Sequence, residues 1–256
     1  MELRPLGGTG LRVSAIGLGT TKLGRNEQVK YPQPFELPSD AQVRGLLETA
    51  RRCGVNLIDT APAYGSSEAR LGELLGDRDR WVLVTKAGEG FADGVSHFDF
   101  SPDAILRSVH RSLERLRTDR IDVVLLHCSG DDLEVLRESG AVDALRSLKR
   151  SGVIRAFGAS TKTVEGGLAA VELCDVVMVA LGRRDRSQLA VVEAAREAQV
   201  GVLVKKPLAS GHDPDPEAAL RDVLGLPGVS CAVVGTIDAE HLAQGCRASA
   251  PGRTGP

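Results

Sequence analysis

Four side chains in this sequence have the types and the spacing to move a proton at one point: Asp59, Tyr64, Lys86 and His127. Three of them end short apolar runs. Val55-Asn56-Leu57-Ile58 leads into Asp59, Val82-Leu83-Val84-Thr85 into Lys86, and Asp122-Val123-Val124-Leu125-Leu126 into His127. Tyr64, one of two tyrosines, follows in the loop Thr60-Ala61-Pro62-Ala63-Tyr64-Gly65. An aspartate and a lysine buried on neighbouring strands hold each other charged, and an ammonium beside a phenol favours phenolate, lowering the tyrosine pKa from about 10. A phenol tuned in this way is a usable proton donor. Singly, each residue has an ordinary role, because strand-end Asp and Lys form surface ion pairs and a lone His often only packs. Their joint appearance at the ends of three successive runs points to catalysis.

For these residues to meet, the runs must be parallel strands with their carboxyl ends on one side. Short β-branched or Leu-rich runs recur at Ala15–Leu18, Val55–Ile58, Val82–Val84, Ile121–Leu126, Ala156–Gly158, Val176–Val179, Val202–Val204 and Ala232–Val234, each apolar on both faces. Amphipathic stretches at Ala41–Cys53, Glu68–Leu75, Ala104–Leu116, Val142–Arg150, Thr163–Val171, Leu189–Ala198, Ala218–Leu224 and Ala239–Arg247 separate or follow them. Ser101 and Asp215, each before a proline, read as N-caps whose side chains satisfy free amides. Apolar runs alternating with helices predict an α/β fold, a (β/α)8 TIM barrel with reactive groups at the carboxyl ends of its strands. An open doubly wound sheet competes less well, since no G-x-G-x-x-G follows the first strand. The segment Leu6–Val13 reads as an N-terminal β-hairpin, and Gly7-Gly8-Thr9-Gly10 as its turn rather than a phosphate loop, having no Gly-Lys-Ser/Thr after it. Residues 1–247 read as one barrel domain and residues 248–256 as a frayed tail.

Composition narrows the partners. A net charge of −2 over 256 residues, with acidic and basic residues interleaved, argues against nucleic acid. No apolar stretch is long enough for a membrane span or a signal h-region, so the expected location is cytoplasmic. Five scattered cysteines suggest neither a disulfide framework nor a metal knuckle. A metal set of His97, Asp99 and His110 is weighed and set aside, so no metal is expected.

The stretch Asp59-Thr60-Ala61-Pro62-Ala63-Tyr64-Gly65-Ser66-Ser67-Glu68, followed by Leu71-Gly72 and Leu75, resembles the aldo-keto reductase signature. Val84-Thr85-Lys86, Leu125-Leu126-His127, Leu6–Ser14 and Ser112–Asp122 are similar to its other stations, so the resemblance covers nearly the whole chain. It implies an NAD(P)H-dependent oxidoreductase that reduces an aldehyde or ketone to an alcohol, or the reverse. Tyr64 would be the general acid or base, Lys86 with Asp59 would tune it, and His127 would orient the carbonyl. The nicotinamide would supply the hydride.

The resemblance places the dinucleotide over the carboxyl-terminal strands, on Gly19, Thr20, Ser160, Thr161, Met178, Lys205, Lys206, Leu208, Ser210, Gly235, Thr236, His241 and Gln244. Here the chain departs from the family pattern. Thr161 stands for the usual asparagine, Met178 for a glutamine, Lys205 for an aromatic ring and His241 for an arginine. Lys205 or Lys206 could meet the pyrophosphate as a point charge, and the turn before Ala239 opens a helix whose free amides suit a phosphate. The expected cofactor is NADP(H) ahead of NAD(H). The partner would be a small carbonyl or alcohol, the assembly a monomer or small homo-oligomer. The short stretch from Gly211 to Glu217 predicts an open site, with Phe35, Phe91, His97, Phe98 and Cys128 as candidate walls. Two alternatives remain: a catalytically impaired nucleotide sensor on the same barrel, motivated by the altered positions, and a lyase or isomerase.

Overall fold

The computed structural model describes residues 1 and 3–249. An antiparallel hairpin of β1 (Leu3–Pro5) and β2 (Arg12–Ser14) comes first. Its turn needs glycine: Gly7 has φ +53°, and a Cβ there would lie 2.3 Å from Gly201 N.

The barrel begins with β3 (Ile16–Gly19), followed by α1 (Thr21–Gly24), α2 (Asp40–Arg52), β4 (Leu57–Asp59) and α3 (Ser67–Leu74). Then come β5 (Val82–Ala87), a second antiparallel hairpin of β6 (Glu89–Ala92) and β7 (Val95–Phe98), α4 (Pro102–Leu116) and β8 (Ile121–His127). The chain continues through α5 (Asp132–Arg137), α6 (Ala141–Arg150), β9 (Ile154–Ser160), α7 (Val164–Leu173), β10 (Val176–Ala180), α8 (Leu189–Glu197), β11 (Gly201–Lys205), α9 (Pro216–Leu224), β12 (Val229–Gly235) and α10 (Ala239–Ala248). Strands β3, β4, β5, β8, β9, β10, β11 and β12 close into a parallel barrel, β12 pairing with β3.

Two apolar layers hold it, as expected for strands buried on both faces. Inside the barrel Leu57, Val84, Val123, Leu125, Ala156, Val176, Met178, Leu203 and Cys231 pack together. Outside, Ile58, Leu83, Val124, Val177 and Val202 pack under helix residues such as Leu46, Val109, Leu145 and Leu220. The hairpin residues Leu6, Leu11 and Val13 join the inner layer.

All eight expected strands are present, most of them one to four residues longer than the apolar runs alone mark them and β4 one residue shorter. The hairpin β6–β7 and the six-residue α5 carry no readable period and were not expected. Asp215 caps α9 through Ala218 N at 3.0 Å, as its position predicts. Ser101 does not cap α4, because its hydroxyl donates to Asp99 Oδ1 at 2.7 Å instead. The tail expected from 248 is helical at Ala248, and residues 250–256 lie outside the described residues. No helix among the described residues is long and apolar enough to cross a membrane.

Candidate active site

Parallel register brings the strand ends to one rim. Gly19 pairs with Asp59 and with Gly235, and His127 with Ser160. Within that rim Lys86, 1% exposed, donates from Nζ to Asp59 Oδ1 at 2.6 Å and to the Thr60 carbonyl at 2.8 Å. The same ammonium sits 4.7 Å from the centre of the Tyr64 ring. Tyr64 and His127 meet edge to face, with ring centroids 6.1 Å apart. The four residues singled out in the sequence therefore form one cluster.

Glycine positions the phenol. Gly65 has φ +59° and faces Gly24 so closely that a Cβ on it would lie 2.1 Å from Gly24 O. A Cβ on Gly24 would in turn fall 2.4 Å from Tyr64 O. Gly65→Ala cannot fit without moving the loop, since the clash is with backbone and the φ is left-handed. Its kcat/KM should fall at least about 10²-fold, as a displacement of about 1 Å does elsewhere; circular dichroism should still report the barrel. A variant with unchanged kinetics would mean that this turn does not set the phenol's place.

The electrostatics correct one expectation. Burial raises the Tyr64 pKa, the Asp59 carboxylate raises it further, and Lys86 offsets only part of this, so the phenol titrates above rather than below its ordinary value. Burial lowers the Lys86 pKa, but Asp59 and Tyr64 together outweigh it and hold the ammonium charged. Tyr64 is thus a phenol at neutral pH, a donor rather than a phenolate. Asp59 absorbs much of the field that sequence reasoning assigned to the tyrosine.

Glu89 was not anticipated, since a lone Glu in a Gly-rich loop carries no pattern. Gly88, at φ +98°, turns the chain out of β5 under the Phe100 ring, and β6 then points Glu89 back over the rim, its Oε2 2.6 Å from His127 Nδ1. Burial opposes the charge on Glu89, but His127, Ser96 and Arg25 outweigh it and hold the carboxyl down to about 2. The His127 pKa is lowered, mainly by burial and against the pull of Glu89.

Residues 15–214 match the sequence profile of the aldo/keto reductase family. The chain belongs to that family. It is 31% identical over 226 residues to L-galactose dehydrogenase of Arabidopsis thaliana, covering 82% of this chain and 66% of that protein. It is 34% identical to D-arabinose 1-dehydrogenase of Saccharomyces cerevisiae (58% and 45% covered) and to NADH-specific methylglyoxal reductase of Escherichia coli (62% and 52%). The chain thus spans between 45% and 66% of the length of these three curated relatives. Among solved structures, an aldo-keto reductase from Pseudomonas aeruginosa superposes with TM-score 0.90 at 50% identity over 96% of this chain and 93% of that one. The holo form of one from Bacillus halodurans gives TM-score 0.84 at 25% identity over 98% and 92%.

Set in an aldo-keto reductase, the expected dinucleotide residues fall into two groups. Ser160, Thr161, Lys205, Lys206, Leu208, Ser210, Gly235 and Thr236 lie at or just beyond the carboxyl ends of β9, β11 and β12. Their chemistry suits an anionic dinucleotide bearing a carboxamide: Lys205 and Lys206 supply two amines at the rim, and Thr161 Oγ1 is buried without any partner among the described residues. Lys205 does not simply wait at the rim, for its Nζ donates to Ser160 Oγ and to Thr161 O, both at 2.8 Å. Burial first, and then Lys206, bring its pKa down to about 8.

In the second group, Thr20 and Met178 are already engaged. Thr20 donates to Asp59 O at 2.9 Å and accepts from Ser67 at 2.8 Å, fully buried. Met178 fills the barrel interior beside Ser160. His241 and Gln244 are exposed on α10. The amides expected to be free there are not: Asp238 Oδ1 accepts from Glu240 N at 2.7 Å and His241 N at 3.1 Å.

The rim is less open than the short Gly211–Glu217 stretch suggests. Segment 25–39 crosses to it, bringing Lys30 O within 3.3 Å of His212 Nε2. Tyr31, missed in the sequence, leans on Gly235 there, where an added Cβ would lie 3.0 Å from its hydroxyl. Phe35 packs edge-on to Tyr31 with centroids 5.6 Å apart. Phe91, His97 and Phe98 line a cavity of about 420 Å³ between the β6–β7 hairpin and α4. Cys128 is buried, its thiol pushed up to about 12 by burial.

Proposed function

We propose that this protein is a nicotinamide-dependent oxidoreductase that interconverts a small aldehyde or ketone and the corresponding alcohol at the rim of the barrel. The observation that carries this is the buried Lys86 ammonium, 2.6 Å from Asp59 and 4.7 Å from the Tyr64 ring centre. A charged lysine and a protonated phenol brought together at the mouth are an acid poised for a substrate oxygen. In reduction Tyr64 donates its hydroxyl proton to the carbonyl oxygen as negative charge develops there, and the Lys86 ammonium stabilises the phenolate left behind. Asp59 keeps Lys86 charged and fixed. His127 closes the far side of the oxygen's position. The nicotinamide, when bound, supplies or receives the hydride, and Ser160, Thr161, Lys205 and Lys206 would hold it.

A second reading, a nucleotide sensor that no longer turns over, is favoured by one feature: Lys205 already occupies Ser160 Oγ and Thr161 O. Titrating NADPH by its fluorescence and then adding a small aldehyde separates the two. Loss of the nicotinamide absorbance on adding aldehyde supports the enzyme; binding with no oxidation across a panel of aldehydes supports the sensor.

NADP(H) stands ahead of NAD(H) by resemblance to the family, whereas Asp238 on the α10 amides opposes a further phosphate at that turn. Because a ligand bound only by the native state raises Tm, the larger shift is expected with NADP+. A larger shift with NAD+ at equal concentration would reverse the preference.

A further inference from the structure

Glu89 makes a specific demand on His127. Its Oε2 lies 2.6 Å from Nδ1 with side chains 12% and 20% exposed, and its other oxygen is fixed by Ser96 Oγ at 2.6 Å from the opposite strand of the hairpin. The contact is short but off the N–H axis, so Nδ1 is buried with no aligned partner. Among the described residues no other acceptor bonds this nitrogen. A carboxylate can only accept, and a neutral imidazole carries one N–H. The groups facing this ring from the other elements are Lys86 from β5, Lys205 from β11 and Tyr64 from the loop after β4; Arg25 faces Glu89. Of these, Lys86 and Lys205 are cations that discourage a second ring proton, and Glu89 alone attracts one.

We propose that Glu89 is a positioning residue that holds the His127 ring proton on Nδ1, so that Nε2 meets the substrate as a hydrogen-bond acceptor at neutral pH. Nδ1 is buried and the ring meets Tyr64 edge to face, so with Nε2 turned to the mouth the pair offers one donor, the phenol, and one acceptor, the imidazole. That pair fits an oxygen that brings its own proton: a hydroxyl of an alcohol or cyclic hemiacetal accepts from Tyr64 and donates to Nε2. A carbonyl oxygen finds only the phenol, and gains a second donor when the ring protonates. The substrate part of this inference rests on the oxidoreductase reading; the tautomer does not. It is the logic by which a carboxylate behind a histidine sets which nitrogen faces the chemistry.

The test is the tautomer itself. In 15N-histidine-labelled protein without cofactor at neutral pH, with the His127 signals identified by their loss in His127→Gln, Nδ1 should be the protonated nitrogen and Nε2 the bare one. In Glu89→Leu, which removes the acceptor, that preference should be lost. If turnover is present, the limb of kcat/KM for reduction that rises as pH falls should move to lower pH by about one unit, because removing a nearby opposite charge lowers the ring's pKa. A wild-type ring protonated on Nε2 overturns the proposal even if Glu89→Leu does not fold. So does a folded Glu89→Leu in which the tautomer is unchanged. The expected tautomer in a protein that oxidises no nicotinamide would sink the oxidoreductase reading and leave the role of Glu89 standing.

Discussion

Replacing Tyr64 by Phe should lower carbonyl reduction by about 10²–10⁴-fold, the usual contribution of a positioned acid, while leaving nicotinamide binding unchanged. The substitution removes one hydroxyl from a ring held by the Gly24–Gly65 contact and by packing on Lys86 and His127. None of these contacts needs the oxygen, so the loop should stay in place. Stopped assays should show the loss in kcat with little change in the dissociation constant for NADPH. Equal turnover by the variant would remove Tyr64 from the chemistry. Because burial holds the wild-type phenol above its ordinary pKa of about 10, the donor should not be lost until the pH has passed that value.

Lys86→Met should be the more damaging change, because it acts on both chemistry and stability. Asp59 would be left 4% exposed with no cation, and removing one partner of a buried pair typically costs about 3–5 kcal/mol. Without the ammonium nothing stabilises the phenolate, so kcat should fall at least about 10²-fold. The double variant Asp59→Asn/Lys86→Met should recover part of the stability, since no charge is then left unpaired, yet recover no activity. Urea denaturation and initial rates read the two effects separately. Recovery of activity in the double variant would mean that Lys86 only neutralises Asp59.

The barrel was legible because its strands are apolar on both faces and its helices have a clear period, and Asp59, Lys86 and His127 were legible because they break those runs at their ends. Tyr64 needed one further step, its place in the loop after β4. What the sequence hid depends on distant contacts. Glu89 acquires its meaning only when Gly88 folds the β6–β7 hairpin back over His127. Glu68 reads as one more signature residue, yet it is fully buried and accepts from Thr85 at 2.7 Å. The sign of the Tyr64 shift is hidden for a related reason: the pair Lys86–Asp59 is evident in the sequence, but how much of the ammonium's field each neighbour receives depends on burial. The α10 amides read as free because Asp238 reads as part of a turn, whereas its side chain closes that turn on itself.

Deuterium transfer tests the central claim most directly. NADPH or NADH carrying deuterium at the transferable position is mixed with the protein and a small aldehyde, and the alcohol is analysed by mass spectrometry. The account predicts deuterium on the carbinol carbon, abolished in Tyr64→Phe. Cofactor binding without any labelled alcohol, over a broad aldehyde and ketone panel, would contradict it.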